Sequence, residues 1–168
     1  MDSMNQELRS HIRSSAVTNF VANLIINGLL AWWTLRGQTS LTAWGDGADG
    51  AYGPDLLITG FLLAAIVSAI MMALHRRKLA RGELAPVALD PLGWVRLFPR
   101  GSLWLACGVF GLLGTLLSAL LLAAMLVLQV PPLSPAIYAV IKAVGAGILA
   151  ALIVPPAILV GLREAAVE

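Results

Sequence analysis

Asn19, Asn23 and Asn27 lie four residues apart inside one uncharged apolar stretch, Ser14 to Leu35. At 3.6 residues per turn that spacing keeps them on one helical stripe, drifting about 40° per step. Each amide carries two donors and an acceptor that hydrocarbon cannot satisfy, so the stripe is expected to face protein or water. Two chemistries fit it. One is hydrogen bonding between helices, typically about 0.6 kcal/mol per bond. The other is a polar track lining a solute pathway or ligand pocket.

Lys142 is the one charge well inside an apolar stretch. Counted from Ala136 it lies about 9 Å below the start of its helix, within reach of a snorkelling side chain. An ion pair with Asp55, at the outer start of the second stretch, is an alternative, and a substrate-binding lysine is another. Tyr138 falls one turn above on the same face, where it can share the hydrogen bonds of Lys142.

The remaining chemistry-bearing residues exclude more than they suggest. His11 and His75 fall at the edges of apolar stretches rather than within them, which does not suit haem ligation inside a membrane. Cys107 is the only cysteine, so an intrachain disulfide and a Cys-x-x-Cys redox site are both excluded. Asp55 and Glu164 flank apolar stretches and no carboxylate lies inside one, which removes the group that proton-coupled export requires. Asp46-Gly-Ala-Asp49-Gly lacks the alternating oxygen ligands and closing Glu of a calcium loop and reads as a solvated turn. No catalytic residue, metal site or cofactor is therefore expected.

The elements that position these residues follow from composition. Of the 168 residues, 59% are hydrophobic and 12% charged, with a formal net charge of +2; a soluble domain carries about 25% charged residues. Four uncharged stretches each supply the roughly 20 apolar residues that cross a 30 Å hydrocarbon core. The expected fold is all-α: a single integral membrane domain, a four-helix transmembrane bundle with short interfacial amphipathic helices. The spans are expected at about 16–35, 56–74, 103–129, and 136–154 or 136–162.

Ser3 and Gln6 fit a capping box, and Met4, Leu8 and Ile12 recur on one face, which predicts a short surface helix leading into span one. Trp32 and Trp33 close that span at headgroup level, so it is a retained span rather than a cleaved signal peptide. Five glycines between Gly37 and Gly53 predict a flexible outer loop, held at the interface by Trp44 and Tyr52. Asp90-Pro91 opens a further interfacial segment that Pro99 ends.

Gly111, Gly114, Thr115 and Ser118 form a small-residue stripe on span three, suited to close helix contact, with Gly145 and Gly147 as candidate partners on span four. Pro131, Pro132 and Pro135 predict a tight turn joining spans three and four as an antiparallel hairpin. Pro155-Pro156 removes two backbone donors, so the helix either ends at Val154, with the prolines as a hinge, or continues as one long kinked helix.

Charge placement sets orientation. Arg76, Arg77, Lys78, Arg81, Arg96 and Arg100 lie between spans two and three, whereas the loop after span one is acidic and Gly-rich. Short Lys/Arg-rich loops stay cytoplasmic, which puts both termini inside. The basic groups then meet anionic lipid at the cytoplasmic face, and no nucleic-acid partner is expected. Nine arginines against two lysines suit a bacterial inner membrane. Two functions fit: a small permease-like or pore-forming transport component, or a non-transport accessory or assembly subunit of a larger membrane complex, including a homo-oligomer. No enzymatic activity is expected.

Overall fold

A computed structural model describes residues 2–45, 50–84, 86, 98–99 and 102–163. The Asp46–Asp49 turn, the interfacial segment opened by Asp90-Pro91, the basic residues Arg96 and Arg100, and Glu164 lie outside the described residues.

The protein is all-α in class, built from α1 (Asp2–Leu35), α2 (Tyr52–Ala80), α3 (Leu103–Val127) and α4 (Pro135–Gly161). All four helices are long and apolar enough to cross a membrane. Ser102 caps α3 by accepting from the Leu105 N–H at 3.3 Å, and Ser134 caps α4 by accepting from the Ile137 N–H at 3.3 Å. Each supplies an acceptor for an N–H that the first turn leaves unpaired. Pro135 then occupies the first helical position, where its missing N–H costs nothing. α3 ends with Gln129 in the left-handed region at φ 51°. The Val130 N–H returns to the Met125 carbonyl and the Gln129 N–H to that of Leu126, which is a Schellman closure. Gly82, at φ 71°, closes α2 in the same way.

Three expectations change or, where two courses were open, are decided. α1 is one helix of 34 residues, about 50 Å long, and not a surface helix followed by a span. Leu8, Ile12 and Ala16 pack against the main apolar core, so the face expected to lie on lipid docks on the bundle. With no Gly or Pro between Asp2 and Ile26, nothing breaks the helix. Helix α4 likewise runs through Pro155 and Pro156 to Gly161 and does not end at Val154. Val154, Ala157 and Ile158 are fully buried in the main core, and this packing holds the turn that lacks two backbone bonds.

The third change concerns order in space. α1 packs on α4, α4 on α2, and α2 on α3, while α3 and α4 barely touch. The expected α3–α4 hairpin is therefore splayed, with α2 lying against both. α4 is the most covered helix and α1 the least. The small-residue stripe of α3 meets α2, not α4. A Cβ on Gly114 would collide with the Gly60 carbonyl and come within 2.5 Å of the Ala64 Cβ, and one on Gly111 would meet the Phe61 ring at 2.7 Å. Gly147 instead lets α1 approach α4, its virtual Cβ being 3.0 Å from the Phe20 carbonyl oxygen.

The described parts of the α1–α2 connection are paired, although the glycines predict a flexible loop. β1 (Leu41–Thr42) pairs in parallel with β2 (Gly50–Ala51), and Leu41 exchanges two backbone hydrogen bonds with Leu133 of the α3–α4 turn, at 2.8 and 2.9 Å. Leu41 is wholly buried, and Gly50 leaves room for its side chain, since a Cβ there would lie 2.5 Å from Leu41 Cδ2. Both connections thus form one lid over this end of the bundle. The opposite end carries the start of α1 and the end of α4.

Candidate functional site

Beneath that lid, three polar side chains converge between α2 and α4. Asp55 sits in the first turn of α2, where the positive end of the helix dipole favours a carboxylate. Tyr138 and Lys142 lie one turn apart on α4, facing it. The Lys142 ammonium donates to both carboxylate oxygens at 2.8 and 2.7 Å, and the Tyr138 hydroxyl donates to Asp55 Oδ2 at 2.5 Å. The Tyr52 ring stacks on Tyr138, centroids 5.8 Å apart, closing the lid side.

Of the alternatives for Lys142, the ion pair with Asp55 is the one formed. The side chain of Lys142 is 10% exposed, against 37% for Asp55, so the lysine is sequestered while the carboxylate keeps an open edge. A buried ammonium needs its counter-charge and its hydrogen bonds together, and the cluster supplies both. It joins the starts of α2 and α4, 87 residues apart in sequence.

The Asn stripe behaves differently. Asn19, Asn23 and Asn27 each donate Nδ2 to the carbonyl four residues earlier in α1, those of Ser15, Asn19 and Asn23, at 2.9, 2.9 and 3.1 Å. Among the described residues none of the three bonds to another helix, so they do not glue α1 to α4. That contact is made by small groups instead: a Cβ on Gly28 would lie 2.9 Å from the Ala143 Cβ. All three amides are half-buried along the edge of this seam. The donor of each is partly used, and the amide oxygens accept nothing from any described residue.

At the opposite end two contacts appear that sequence reading did not anticipate. His75 Nδ1 lies 2.7 Å from the Met71 carbonyl, and His11 Nε2 lies 3.0 Å from His75 Nε2. A carbonyl only accepts, so His75 carries a proton on Nδ1; in the neutral ring its Nε2 lone pair then accepts from His11 Nε2–H. The pair pins α1 to α2. Arg163 is 8% exposed and donates to the Phe98 and Pro99 carbonyls at 2.9 and 2.5 Å. It draws the chain before α3 onto the end of α4, where Phe98 stacks on Phe110. Both contacts join residues 64 or 65 positions apart, and no local pattern announces such a pairing.

Among the described residues no three His, Cys, Asp or Glu side chains converge as metal ligands, and Cys107 is buried in the core. What these sites can do is hold charge, accept hydrogen bonds and fix helices to one another. Comparison of the chain with protein-family models, with curated proteins and with solved structures returns no match.

Proposed function

We propose that this small membrane protein is a non-transport accessory or assembly subunit, docking through the Asn19–Asn23–Asn27 face of α1 onto a membrane helix of a second copy or of a partner protein. The observation that carries this reading is the amide ladder, half-buried on the least covered helix, with its oxygens unused. Hydrocarbon offers no donor to those oxygens, and polar side chains on membrane helices usually find one on a neighbouring helix. A transport role would need the same ladder to be wet, and the α1–α4 seam beside it closes on small and apolar groups, Gly28 against Ala143 and Gly147 against Phe20. The reading assigns the chain no catalytic role.

Extraction in mild detergent, with mass and partners measured together, tests it. The wild-type chain is expected above its monomer mass. Asn23→Leu with Asn27→Leu should dissociate the assembly while leaving the helical content unchanged. A monomeric wild type in a native-membrane extract, or a variant that keeps its assembly, would contradict the proposal.

For orientation, the basic segment from Arg76 supports cytoplasmic termini and contact with anionic lipid at that face of a bacterial inner membrane. Single cysteines replacing Ser40 and Glu83, in a Cys107→Ala background, should then label from opposite sides of intact cells. Labelling of both from one side would reverse this part of the reading.

A further inference from the structure

Because α3 and α4 splay apart, a cleft of about 510 Å³ opens sideways between them, floored by α2. Its walls are apolar: Leu117 and Leu121 on α3, and Val144, Ile148 and Leu152 on α4. Gly145 leaves the α4 wall open, with only Leu121 Cδ2 near its virtual Cβ, at 3.6 Å. Lys142 lines the end of the cleft nearest the lid, held against Asp55.

We propose that this cleft binds one phospholipid, with a primary-ammonium zwitterionic headgroup, from the leaflet on the lid side of the bundle. Length selects the occupant. From Lys142 to Leu152 the wall runs about 15 Å along α4 at 1.5 Å per residue, which is half of the roughly 30 Å hydrocarbon core. That length accommodates an acyl chain from one leaflet. A transmembrane helix from another subunit would need the full depth. The volume also falls within the roughly 300–1,000 Å³ of small-molecule pockets.

Charge selects the head. The Lys142 ammonium has three N–H groups, and the acceptors it meets among the described residues are the two Asp55 oxygens. An N–H therefore remains for a phosphate oxygen. Asp55, bonded to the Lys142 that lines the end of the cleft, keeps a side chain 37% exposed, and a carboxylate there can accept from a hydrogen-bonding ammonium, which a choline head cannot provide. The Asp55–Lys142 pair is neutral as a unit, so it gives no net attraction to an anionic head.

Native mass spectrometry of the full chain tests this, using mixed micelles containing equal palmitoyl-oleoyl phosphatidylethanolamine, phosphatidylcholine and phosphatidylglycerol. One equivalent of phosphatidylethanolamine should be retained in preference to the other two. Gly145→Leu fills the cleft without touching the ion pair and should reduce that retention about tenfold, as expected for displacing one to two methylenes' worth of contact. Lys142→Met should abolish the headgroup preference. Since it could also unfold the bundle, Gly145→Leu with unchanged thermal stability is the deciding variant. Equal retention of all three lipids, retention unaffected by Gly145→Leu, or a dimer that Gly145→Leu dissociates would each overturn the proposal.

Discussion

At the scale of single residues, polar groups inside the bundle matter through what they leave unpaired when a partner is removed. Asp55 and Lys142 make this testable because their exposures differ. Asp55→Asn leaves a sequestered ammonium with no counter-charge, whereas Lys142→Met leaves a carboxylate that keeps an open edge and the Tyr138 hydroxyl. Breaking a buried pair costs about 3–5 kcal/mol, while exposed pairs contribute about 0–1. Asp55→Asn is expected toward the first range and Lys142→Met at about half of it, both read from denaturant or thermal unfolding in one detergent. Equal losses would show that the two groups share the same solvent access. Of these residues, the alignment of Tyr138 with Lys142 was readable from helical spacing, and Asp55 was a candidate from its position at a helix start. Arg163 was not readable as a clamp, because its acceptors are backbone carbonyls that any sequence would offer.

At the scale of elements, close approach decides which helices are neighbours. Gly60 and Gly114 face each other across the α2–α3 crossing. A Cβ on Gly60 would collide with Ser118 Oγ and lie 2.7 Å from the Gly114 carbonyl oxygen. Gly60→Ala should therefore destabilise by about 1–3 kcal/mol through overpacking. Gly108, with nothing within 4 Å of its virtual Cβ, is the control: Gly108→Ala should be neutral or stabilise by up to about 1 kcal/mol. Unfolding of the two variants side by side checks both, and a Gly60→Ala variant as stable as wild type would remove this crossing from the account.

The four spans and the small face of α3 could be read in advance, since each depends on local composition or spacing. Which helix that small face meets could not. Gly60 on α2 and Gly147 on α4 look alike in sequence, and only the insertion of α2 beside both α3 and α4 separates them. The continuity of α4 through Pro155-Pro156 was undecidable locally for the same reason. Two lost backbone bonds favour a break, and the burial of Val154, Ala157 and Ile158 outweighs them.

At the scale of the whole molecule, helices α1 and α3 occupy the flanks of an α1–α4–α2–α3 row. The lid ties the two connections at one end, and the His11–His75 and Arg163 contacts tie the helices at the other. A row of helices leaves two kinds of surface that a closed bundle would hide: the flank of α1 with its amides, and the cleft beside α4. Docking through the first is the central claim. The most direct test places single cysteines at positions 19, 23 and 27 in a Cys107→Ala background and exposes native membranes to a small water-soluble thiol reagent. If the α1 face is seated against another membrane helix, all three remain unmodified until the assembly is dissociated. Reaction at all three while the assembly is intact would show a water-filled path along the ladder and contradict the docking account.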